Sequence, residues 1–325
     1  MKPYAVLLFS ALLLIAACDD GCKTEIGWEC TVSEFEAQAA TAEPDEGETV
    51  IHVRFITPVG DEFTASHYRR IARVLRQNES KPFYINMIEC EVKELSIPAF
   101  AFAECINLTD VTLPRKVNRI ETGAFKNCIA LANSAEGVNL TVEAGAYEGC
   151  TWMGTAEIYG DAASVESGAF AGCHWLENFY PKESELQQGE RYYGVRNYGY
   201  GSDALIEIDT NGNKILHSFP SAYDTATVPA GVTIIGDFAF ADCFLYLTGI
   251  TIGPQVTEIK NSAFKNCVLI DKITIPSSVI KMGAYAFEGW TSRQKIEVPF
   301  AKNAEPTGWH QDWDSGSNAE IIYTP

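Results

Sequence analysis

Six cysteines in one register are the residues best able to do chemistry. Each follows an alanine, an aromatic residue and two variable residues, and the six are Cys105, Cys128, Cys150, Cys173, Cys243 and Cys267. A zinc site needs ligands that converge on one point. If each cysteine belongs to a separate stacked turn, neighbours lie one strand spacing apart, about 4.7 to 4.9 Å, and form a column. That distance permits a disulfide, but parallel side chains disfavour the required dihedral angle. We therefore predict buried, reduced cysteines, with no metal site and no cofactor.

The five histidines show neither a ligand spacing nor a nucleophile motif. They lie in separate segments, at His52, His67, His174, His217 and His310. Phosphate-binding glycine loops are also missing from the sequence. A fold that placed His174 or His217 in a pocket beside a serine or a carboxylate would favour a hydrolase instead. The sequence by itself predicts no catalytic residue and no enzyme.

The cysteines belong to a repeat with a period in the twenties. The motif of alanine, aromatic residue, two variable residues and Cys or Trp occurs seven times, beginning at Ala101, Ala124, Ala146, Ala169, Ala239, Ala263 and Ala286. Successive motifs begin 23, 22, 23, 70, 24 and 23 residues apart. A fixed period of this size indicates a solenoid, because one turn is too small to bury its own apolar face.

Each turn is expected to contribute a short parallel strand. The apolar residues between Cys105 and Cys128 include Val111-x-Leu113, and Pro114, which cannot continue a β-ladder, follows them directly. The same register returns after Cys267, with Pro276 in the matching place. Glycine precedes the alanine in three motifs, where adjacent backbones run close or φ is positive, at Gly123, Gly145 and Gly168.

The ends of the chain depart from the repeat and predict caps. Residues 50–90 contain an alternating strand over 50–56 and an amphipathic helix over 64–78, which together predict an N-terminal strand-helix cap. The repeats are expected over 91–300. Residues 301–325 contain two tryptophans and a final strand, and they predict a C-terminal β cap that covers the last turn.

The 70-residue interval between motifs predicts an irregular insertion with a β-hairpin at 177–226. Two strand-like segments, 204–209 and 214–219, flank Asn211-Gly212. This pair suits a two-residue turn with positive φ at both central residues, so the sequence predicts such a turn in the hairpin.

The first residues carry the features of a bacterial lipoprotein signal. An apolar stretch from Ala5 to Ala17, interrupted only by Ser10, is too short to span a bilayer comfortably. The segment Ile15-Ala16-Ala17-Cys18 resembles a lipobox. The resemblance implies that residues 1–17 are a removed signal peptide and that Cys18 is acylated, and several acyl chains hold a protein stably on a membrane. A simple secretory signal with an incidental cysteine is the alternative.

Residues 18–49 are rich in alanine, acidic residues and threonine and show little periodicity. We therefore predict a flexible tether between the lipid and the folded body. Cys22 and Cys30 lie in this segment, and an exported chain meets oxidising conditions. A local disulfide between them stays open, and so does the state of Cys90.

The charge of the chain limits its partners. Against 43 acidic residues stand 24 basic ones, a formal net charge of −19. Such a chain repels nucleic acid and anionic membrane surfaces, so no nucleic-acid partner is expected and membrane contact is expected through the lipid anchor only.

The repeat resembles a known family. The pattern Leu108-x-x-Val111-x-Leu113-Pro114-x-x-Val117-x-x-Ile120-x-x-x-Ala124-Phe125-x-x-Cys128 is similar to the BspA-like, treponemal-type leucine-rich repeat, and the likeness covers residues 80 to 300. It implies a β-rich leucine-rich repeat solenoid of short parallel strands stacked turn by turn. Members of the family occur on bacterial surfaces and in some protists, and they are associated with attachment to host matrix and plasma proteins and to other bacteria. No catalytic or ligand motif is shared, so no individual binding residue is implied.

Two surfaces are candidates for binding. Strand residues between the inward apolar positions point outward and form a row, Thr112, Glu157, Thr251 and Thr274, although small polar residues suit solvent equally well. The second surface is the insertion, whose residue types are enriched in interface hot spots, although they also suit packing around the hairpin base: Tyr180, Arg191, Tyr192, Tyr193, Arg196, Tyr198 and Tyr200.

These observations predict a non-enzymatic lipoprotein of the bacterial cell envelope, lipid-anchored at the outer membrane and exposed at the cell surface. We expect it to bind extracellular matrix proteins or other host or bacterial surface proteins, or glycans, in adhesion. The alternative is a periplasm-facing lipoprotein that organises the envelope.

Overall fold

The computed structural model describes residues 28–45, 47–134, 139–160, 163–176, 178–180, 192–196, 203–219, 224–243 and 246–325. The predicted signal peptide 1–17, the lipid attachment residue Cys18 and Cys22 lie outside the described residues. None of the helices in the described part is long and apolar enough to cross a bilayer.

Two short helices and many short strands make up the described chain. The helices are α1 (Val32–Gln38) and α2 (Ala65–Gln77). The strands are β1 (Trp28–Cys30), β2 (Ile51–Phe55), β3 (Phe83–Asn86), β4 (Ser96–Ile97), β5 (Leu108–Thr112), β6 (Arg119–Ile120), β7 (Thr141–Val142), β8 (Thr155–Glu157), β9 (Ser164–Val165), β10 (Asn178–Tyr180), β11 (Tyr192–Arg196), β12 (Asp203–Ile208), β13 (Lys214–Ser218), β14 (Thr225–Thr227), β15 (Val232–Ile235), β16 (Gly249–Thr251), β17 (Glu258–Ile259), β18 (Lys272–Thr274), β19 (Lys281–Met282), β20 (Lys295–Val298), β21 (Gly308–Trp309) and β22 (Glu320–Tyr323).

The strands stack turn by turn and confirm the predicted leucine-rich repeat solenoid. One series of sheets contains β1-β2-β3-β5, β8-β10, β14-β16 and β18-β20-β22. The other contains β4-β6-β7-β9 and a seven-stranded sheet, β11-β12-β13-β15-β17-β19-β21. Every pair within these sheets is parallel except β11-β12 and β12-β13, which belong to the insertion. Apolar residues of each turn point inward, so the core grows by addition of turns.

The aromatic residues of the motifs form two ring stacks in the core. In the first, Phe125 lies between Phe102 and Tyr147, with both centroid distances 5.3 Å and ring planes within 4° of parallel. In the second, Phe240, Phe264 and Phe287 follow one another at 5.3 and 5.4 Å. The second stack begins at Phe219, 5.0 Å from Phe240, a ring that no alanine-based motif marks. The buried residues form two separate clusters, which divide within the insertion.

The residue before the alanine takes positive φ in every motif. Gly123, Gly145 and Gly168 have φ between 60° and 65°, which confirms one of the two explanations for these glycines. The other four motifs have side chains there, with φ between 52° and 58°: Phe100, Phe238, Ser262 and Tyr285. This conformation costs a side-chain-bearing residue about 1 to 2 kcal/mol, so the turn geometry is imposed by stacking rather than by local preference.

The N-terminal cap is larger than the sequence predicts. The predicted helix is confirmed as α2, but the flexible tether expected over 18–49 is wrong for Trp28–Ala42. Here β1 pairs in parallel with β2, and Thr31 caps α1 in a capping box with Glu34. Phe35 is fully buried, with its ring 5.3 Å from that of Phe55. The open end of the solenoid exposes apolar surface, and burying it outweighs the weak local periodicity of this segment.

An ion-pair cluster joins the two helices of the cap. Glu36 of α1 accepts hydrogen bonds from the guanidinium groups of Arg70 and Arg73 on α2. The hydrogen bond from Arg70 lowers the pKa of the Glu36 carboxyl. The basic face of α2 is therefore partly neutralised within the cap.

The insertion forms the predicted hairpin with a different turn. Strands β12 and β13 are antiparallel. Asp209 O accepts a hydrogen bond from Gly212 N at 3.0 Å, which places Thr210 and Asn211 at the centre of the turn. Only Gly212 has positive φ, at 81°, so the predicted turn with two positive-φ residues is wrong. The longer loop arises because the Asp209 side chain accepts from Asn211 N and Asn213 N at 2.8 Å and orders both.

The C-terminal cap covers the last turn as expected. β22 adds in parallel to β20, and β21 adds to β19. The Trp313 ring lies edge-on against Phe287, with centroids 5.9 Å apart, and ends the second ring stack. Its indole is 6% exposed, so the final apolar surface is hidden.

Candidate binding surfaces

The motif cysteines are buried thiols that donate hydrogen bonds to the backbone. Cys128 Sγ lies 3.0 Å from the carbonyl oxygen of Phe102, and Cys150 Sγ lies 3.1 Å from that of Phe125. Cys267 repeats the contact. In the last motif Trp290 takes the same place, and its Nε1 donates to the carbonyl oxygen of Phe264 at 2.8 Å. Trp can therefore replace Cys at this place, because each brings a donor to the equivalent carbonyl oxygen of the preceding turn. The column satisfies backbone acceptors and stacks turns.

Burial makes these thiols unreactive. It raises the pKa of Cys30 and of Cys105 to about 12 and that of Cys90 to about 11, and it raises the pKa of Cys128 and Cys150 as well. These five thiols therefore hold almost no thiolate, which is the reactive form, at neutral pH.

We expect a Cys18→Ser, Cys22→Ser variant to show almost no reaction with a thiol reagent at pH 7.5 while folded. After unfolding in guanidinium it should show all eight remaining thiols, the cysteines found free and buried in the fold. An absorbance assay with an aromatic disulfide reagent measures both states. Rapid labelling of the native variant, or far fewer than eight thiols after unfolding without reductant, would contradict the buried, reduced column.

The two histidines that could favour a hydrolase are His174, which is buried, and His217, whose side chain is 16% exposed. His174 and Ser218 line a cavity of about 10 Å³ at the break between the ring stacks, which holds about one water molecule. Burial lowers the pKa of the His174 imidazole. His217 Nε2 lies 2.5 Å from Glu207 Oε2, within the hairpin. Within the described ranges, no three His, Cys, Asp or Glu residues are placed to hold a metal ion.

The predicted row of outward residues lies on the first series of sheets. Each residue of the row pairs in register with a residue of the neighbouring strand: Thr112 with Asn86, Glu157 with Tyr180, Thr251 with Thr227, and Thr274 with Glu297. Thr112 and Glu157 are half-buried, and Thr251 and Thr274 are exposed. Thr274 Oγ1 donates to Glu297 Oε2 at 2.8 Å, and Thr112 Oγ1 contacts the Tyr84 hydroxyl at 2.6 Å. The row is thus part of a polar, hydrogen-bonded sheet surface.

The structure describes the side chains of two of the seven candidate residues of the insertion, Tyr180 and Tyr192. Tyr180 is half-buried beside Glu157. Tyr192 is only 4% exposed and its hydroxyl accepts a hydrogen bond from Val165 N, so its proposed place in a binding surface is wrong. It is buried because β11 adds its ring to the end of the first core cluster. Tyr193 and Arg196 lie on β11, but their side chains, like Arg191, Tyr198 and Tyr200, lie outside the described part.

Three partly exposed aromatic residues that the sequence motifs do not mark form a stack on the surface of the solenoid. Trp152 and Trp175 stack with centroids 5.5 Å apart and planes 2° from parallel. The Tyr246 ring meets Trp175 at 5.9 Å and 72°. The available signal was a tryptophan two residues after the cysteine in consecutive motifs, Cys150-Thr-Trp152 and Cys173-His-Trp175. We call Trp152, Trp175 and Tyr246 the aromatic ridge.

Solved structures of bacterial leucine-rich repeat proteins resemble this fold. A leucine-rich cell surface protein from Faecalibacterium prausnitzii is 19% identical, with 84% of this chain and 79% of that chain covered and a TM-score of 0.51. A leucine-rich repeat protein from Eubacterium ventriosum is 21% identical over 67% of this chain and 60% of that chain, with a TM-score of 0.45. One from Bacteroides ovatus is 15% identical over 83% and 66%, with a TM-score of 0.36. Of these three, the first has a TM-score above 0.5, and at 19% identity its likeness concerns the fold alone.

The family model gives the decisive comparison. No curated protein sequence matches the chain significantly. The model of the BspA-type leucine-rich repeat region matches in six copies, over residues 82–192 and 219–305, which is more than half of the chain. The match begins at the first strands after α2 and ends in the C-terminal cap, and it includes both ring stacks. The chain therefore belongs to the BspA-type leucine-rich repeat family.

Proposed function

We propose that this chain is a non-enzymatic bacterial surface lipoprotein that binds protein partners, or glycans, in adhesion to host matrix or to other cells. The observation that carries the proposal is that the motif cysteines and His174, the residues best able to do chemistry, are buried in the core. The motif thiols are bound to backbone carbonyls, and His174 lies in a cavity with room for about one water molecule. What the fold offers to partners is an extended polar sheet surface on the first series of strands.

The cellular place follows from the proposed acylation. Acyl chains on Cys18 would anchor the protein in a membrane of the envelope. Cys18 is ten residues before Trp28, the first residue of β1, so the folded part would stay close to that membrane. A chain of this length spans at most about 35 Å, so the N-terminal cap stays near the membrane while the repeats extend away. The name of the Faecalibacterium structure, a cell surface protein, agrees with this placement.

Binding is tested with the soluble Cys18→Ser chain on immobilised matrix proteins and on a glycan array. We expect saturable binding that falls at least tenfold when the outward row is changed by Thr251→Arg and Thr274→Arg, because two bulky charges block the sheet surface. The matched control is Thr257→Arg, an exposed threonine beside the second series of sheets, between Val256 and β17. The insertion is tested separately by replacing residues 181–191 with a Gly-Ser segment of equal length, which keeps β11 and buried Tyr192.

Two results would overturn the proposal. Absence of binding to every matrix protein and glycan would remove the adhesive role. Resistance of the wild-type protein to protease on intact cells, with digestion after permeabilisation, would place it in the periplasm and favour the structural alternative. Membrane release of the Cys18→Ser chain, with no acyl label, is expected if Cys18 is the anchor.

A further inference from the structure

The aromatic ridge is an exposed feature that the core does not require. Each of its residues directly precedes a buried apolar residue, so the ridge side chains occupy equivalent places in successive turns: Met153, Leu176 and Leu247 are the buried neighbours. Trp152 and Trp175 are half-buried, and Tyr246 is 40% exposed. The ring contacts of 5.5 and 5.9 Å join the three into one strip across the break between the two core clusters.

Apolar residues extend the ridge at both ends. Ile129 precedes it, and its carbonyl oxygen accepts a hydrogen bond from Trp152 N. One period after Tyr246, Val268 and Leu269 stand before buried Ile270, and all three flanking residues are 39% to 40% exposed: Ile129, Val268 and Leu269. Exposed apolar residues grouped at equivalent places of several turns mark a surface that a partner covers.

The ridge also carries unused hydrogen-bond donors. The indole N–H groups of Trp290 and Trp309 donate to the carbonyl oxygens of Phe264 and Val279, at 2.8 and 3.1 Å. The indoles of Trp152 and Trp175 make no such bond to any residue that the structure describes. Two donors close together on an apolar strip call for a partner rich in acceptors.

The ring geometry selects the class of acceptor. Trp152 and Trp175 each cover one face of the other, and Tyr246 meets Trp175 at 72°, so part of the ring surface on which a sugar would stack is taken. The positive ring edges and the indole N–H groups remain, and they attract carbonyl oxygens. A polyproline II chain has no internal hydrogen bonds, so its carbonyls are free, whereas helices and sheets use theirs.

A charge at one end gives the partner a direction. Arg293 precedes buried Gln294 and so occupies the ridge position two periods after Tyr246. It is exposed, and its guanidinium has no partner within the described ranges. The distance along the ridge from Trp152 to Arg293 is about 20 Å, the two ring-centroid distances plus two strand spacings. A polyproline II segment of about seven residues spans that distance at 3.1 Å per residue.

We propose that the aromatic ridge binds a proline-rich polyproline II segment of a partner protein, with an acidic residue of that segment against Arg293. The carbonyls accept from the two indoles, and the proline rings pack on Tyr246 and the flanking apolar residues. This inference rests on the proposed protein-binding role and assigns it a second surface, separate from the outward row.

The test is fluorescence anisotropy of the soluble Cys18→Ser chain with labelled peptides of about ten residues. One peptide carries prolines followed by aspartate, one has the reverse order, and a Gly-Ser peptide of equal length and charge is the control. We expect one proline peptide to bind at micromolar to submillimolar concentration and the Gly-Ser peptide at least tenfold more weakly. Trp152→Phe and Trp175→Phe keep a ring and remove one hydrogen bond each, so each variant should lose about fivefold in affinity.

The remaining variants separate the contributions. Arg293→Ala should weaken binding of the aspartate peptide and leave unchanged the binding of a fourth peptide, in which asparagine replaces the aspartate. Tyr285→Ala, an aromatic residue 46% exposed before another motif, should leave both affinities unchanged. Circular dichroism melts verify that each variant is folded.

Several results would overturn the inference. The first is that neither proline peptide binds. The second is that the folded double variant Trp152→Phe, Trp175→Phe binds the proline peptide as tightly as the wild type does. The third is that an oligosaccharide binds at these residues. If the double variant still binds matrix proteins, the adhesive proposal stands and only the ridge assignment fails.

Discussion

Replacing Phe125 with alanine is expected to lower the free energy of unfolding by about 3 to 5 kcal/mol. The ring is fully buried and stacks on Phe102 and on Tyr147, so its removal leaves a cavity open to two neighbouring turns. In a solenoid each turn is stabilised only by its neighbours, and the lost contact weakens both interfaces. Urea unfolding followed by circular dichroism gives the change.

The matched control is Phe100→Ala. This ring is 56% exposed and its residue has positive φ, so little stability depends on its burial. A loss within about 0.5 kcal/mol is expected, as for ordinary surface substitutions. Equal losses in the two variants would contradict the view that the ring stack, rather than aromatic content, holds the turns together.

Replacing Trp313 with alanine is expected to have the second large effect, also about 3 to 5 kcal/mol. The indole covers the end of the second ring stack, with centroids 5.9 Å from Phe287 and 5.0 Å from Trp309. Its removal leaves a cavity beside these two buried rings, at the end of the ring stack that the structure describes. Hydrogen exchange should therefore speed up most in β19, β20 and β21, and binding of a hydrophobic dye should increase.

The control for the C-terminal cap is His310→Ala. His310 is exposed and near Trp313 in sequence, so the substitution changes the same cap without opening the core. We expect unfolding within about 0.5 kcal/mol of the wild type. Uniform acceleration of exchange over the whole solenoid in Trp313→Ala would show that the cap acts globally and not on the last turns.

Much of the fold could be predicted because the same apolar pattern recurs in many turns. A motif that returns every 22 to 24 residues predicts stacked turns, and Val111-x-Leu113-Pro114 predicts where a strand ends. The N-terminal cap was harder to predict. Thr31-x-x-Glu34 is a capping box that a reader of the sequence could have found, but the burial of Phe35 depends on Phe55 and Phe83, which are distant in sequence.

Less of the candidate site could be predicted, since surfaces arise from neighbours in different turns. Tyr192 has the residue type of an interface, yet its hydroxyl is used by Val165 N. Trp152 and Trp175 look like two unrelated residues until stacking brings them to 5.5 Å. The prediction of the hairpin turn failed for a local reason: the Asp209 carboxylate accepts hydrogen bonds from the backbone amides of Asn211 and Asn213, and the loop is longer as a result.

The sequence alone determined the family, the solenoid and the burial of the cysteine column, because these follow from period and apolar pattern, which are local properties of each turn. Only the tertiary structure decided that Trp290 replaces a thiol as donor to Phe264, that Phe219 begins the second ring stack, and that Trp28–Ala42 belongs to the cap. These contacts join residues tens of positions apart, and their free energy comes from burial and hydrogen bonding between turns. No single turn contains that information, so it exists only once the turns are stacked.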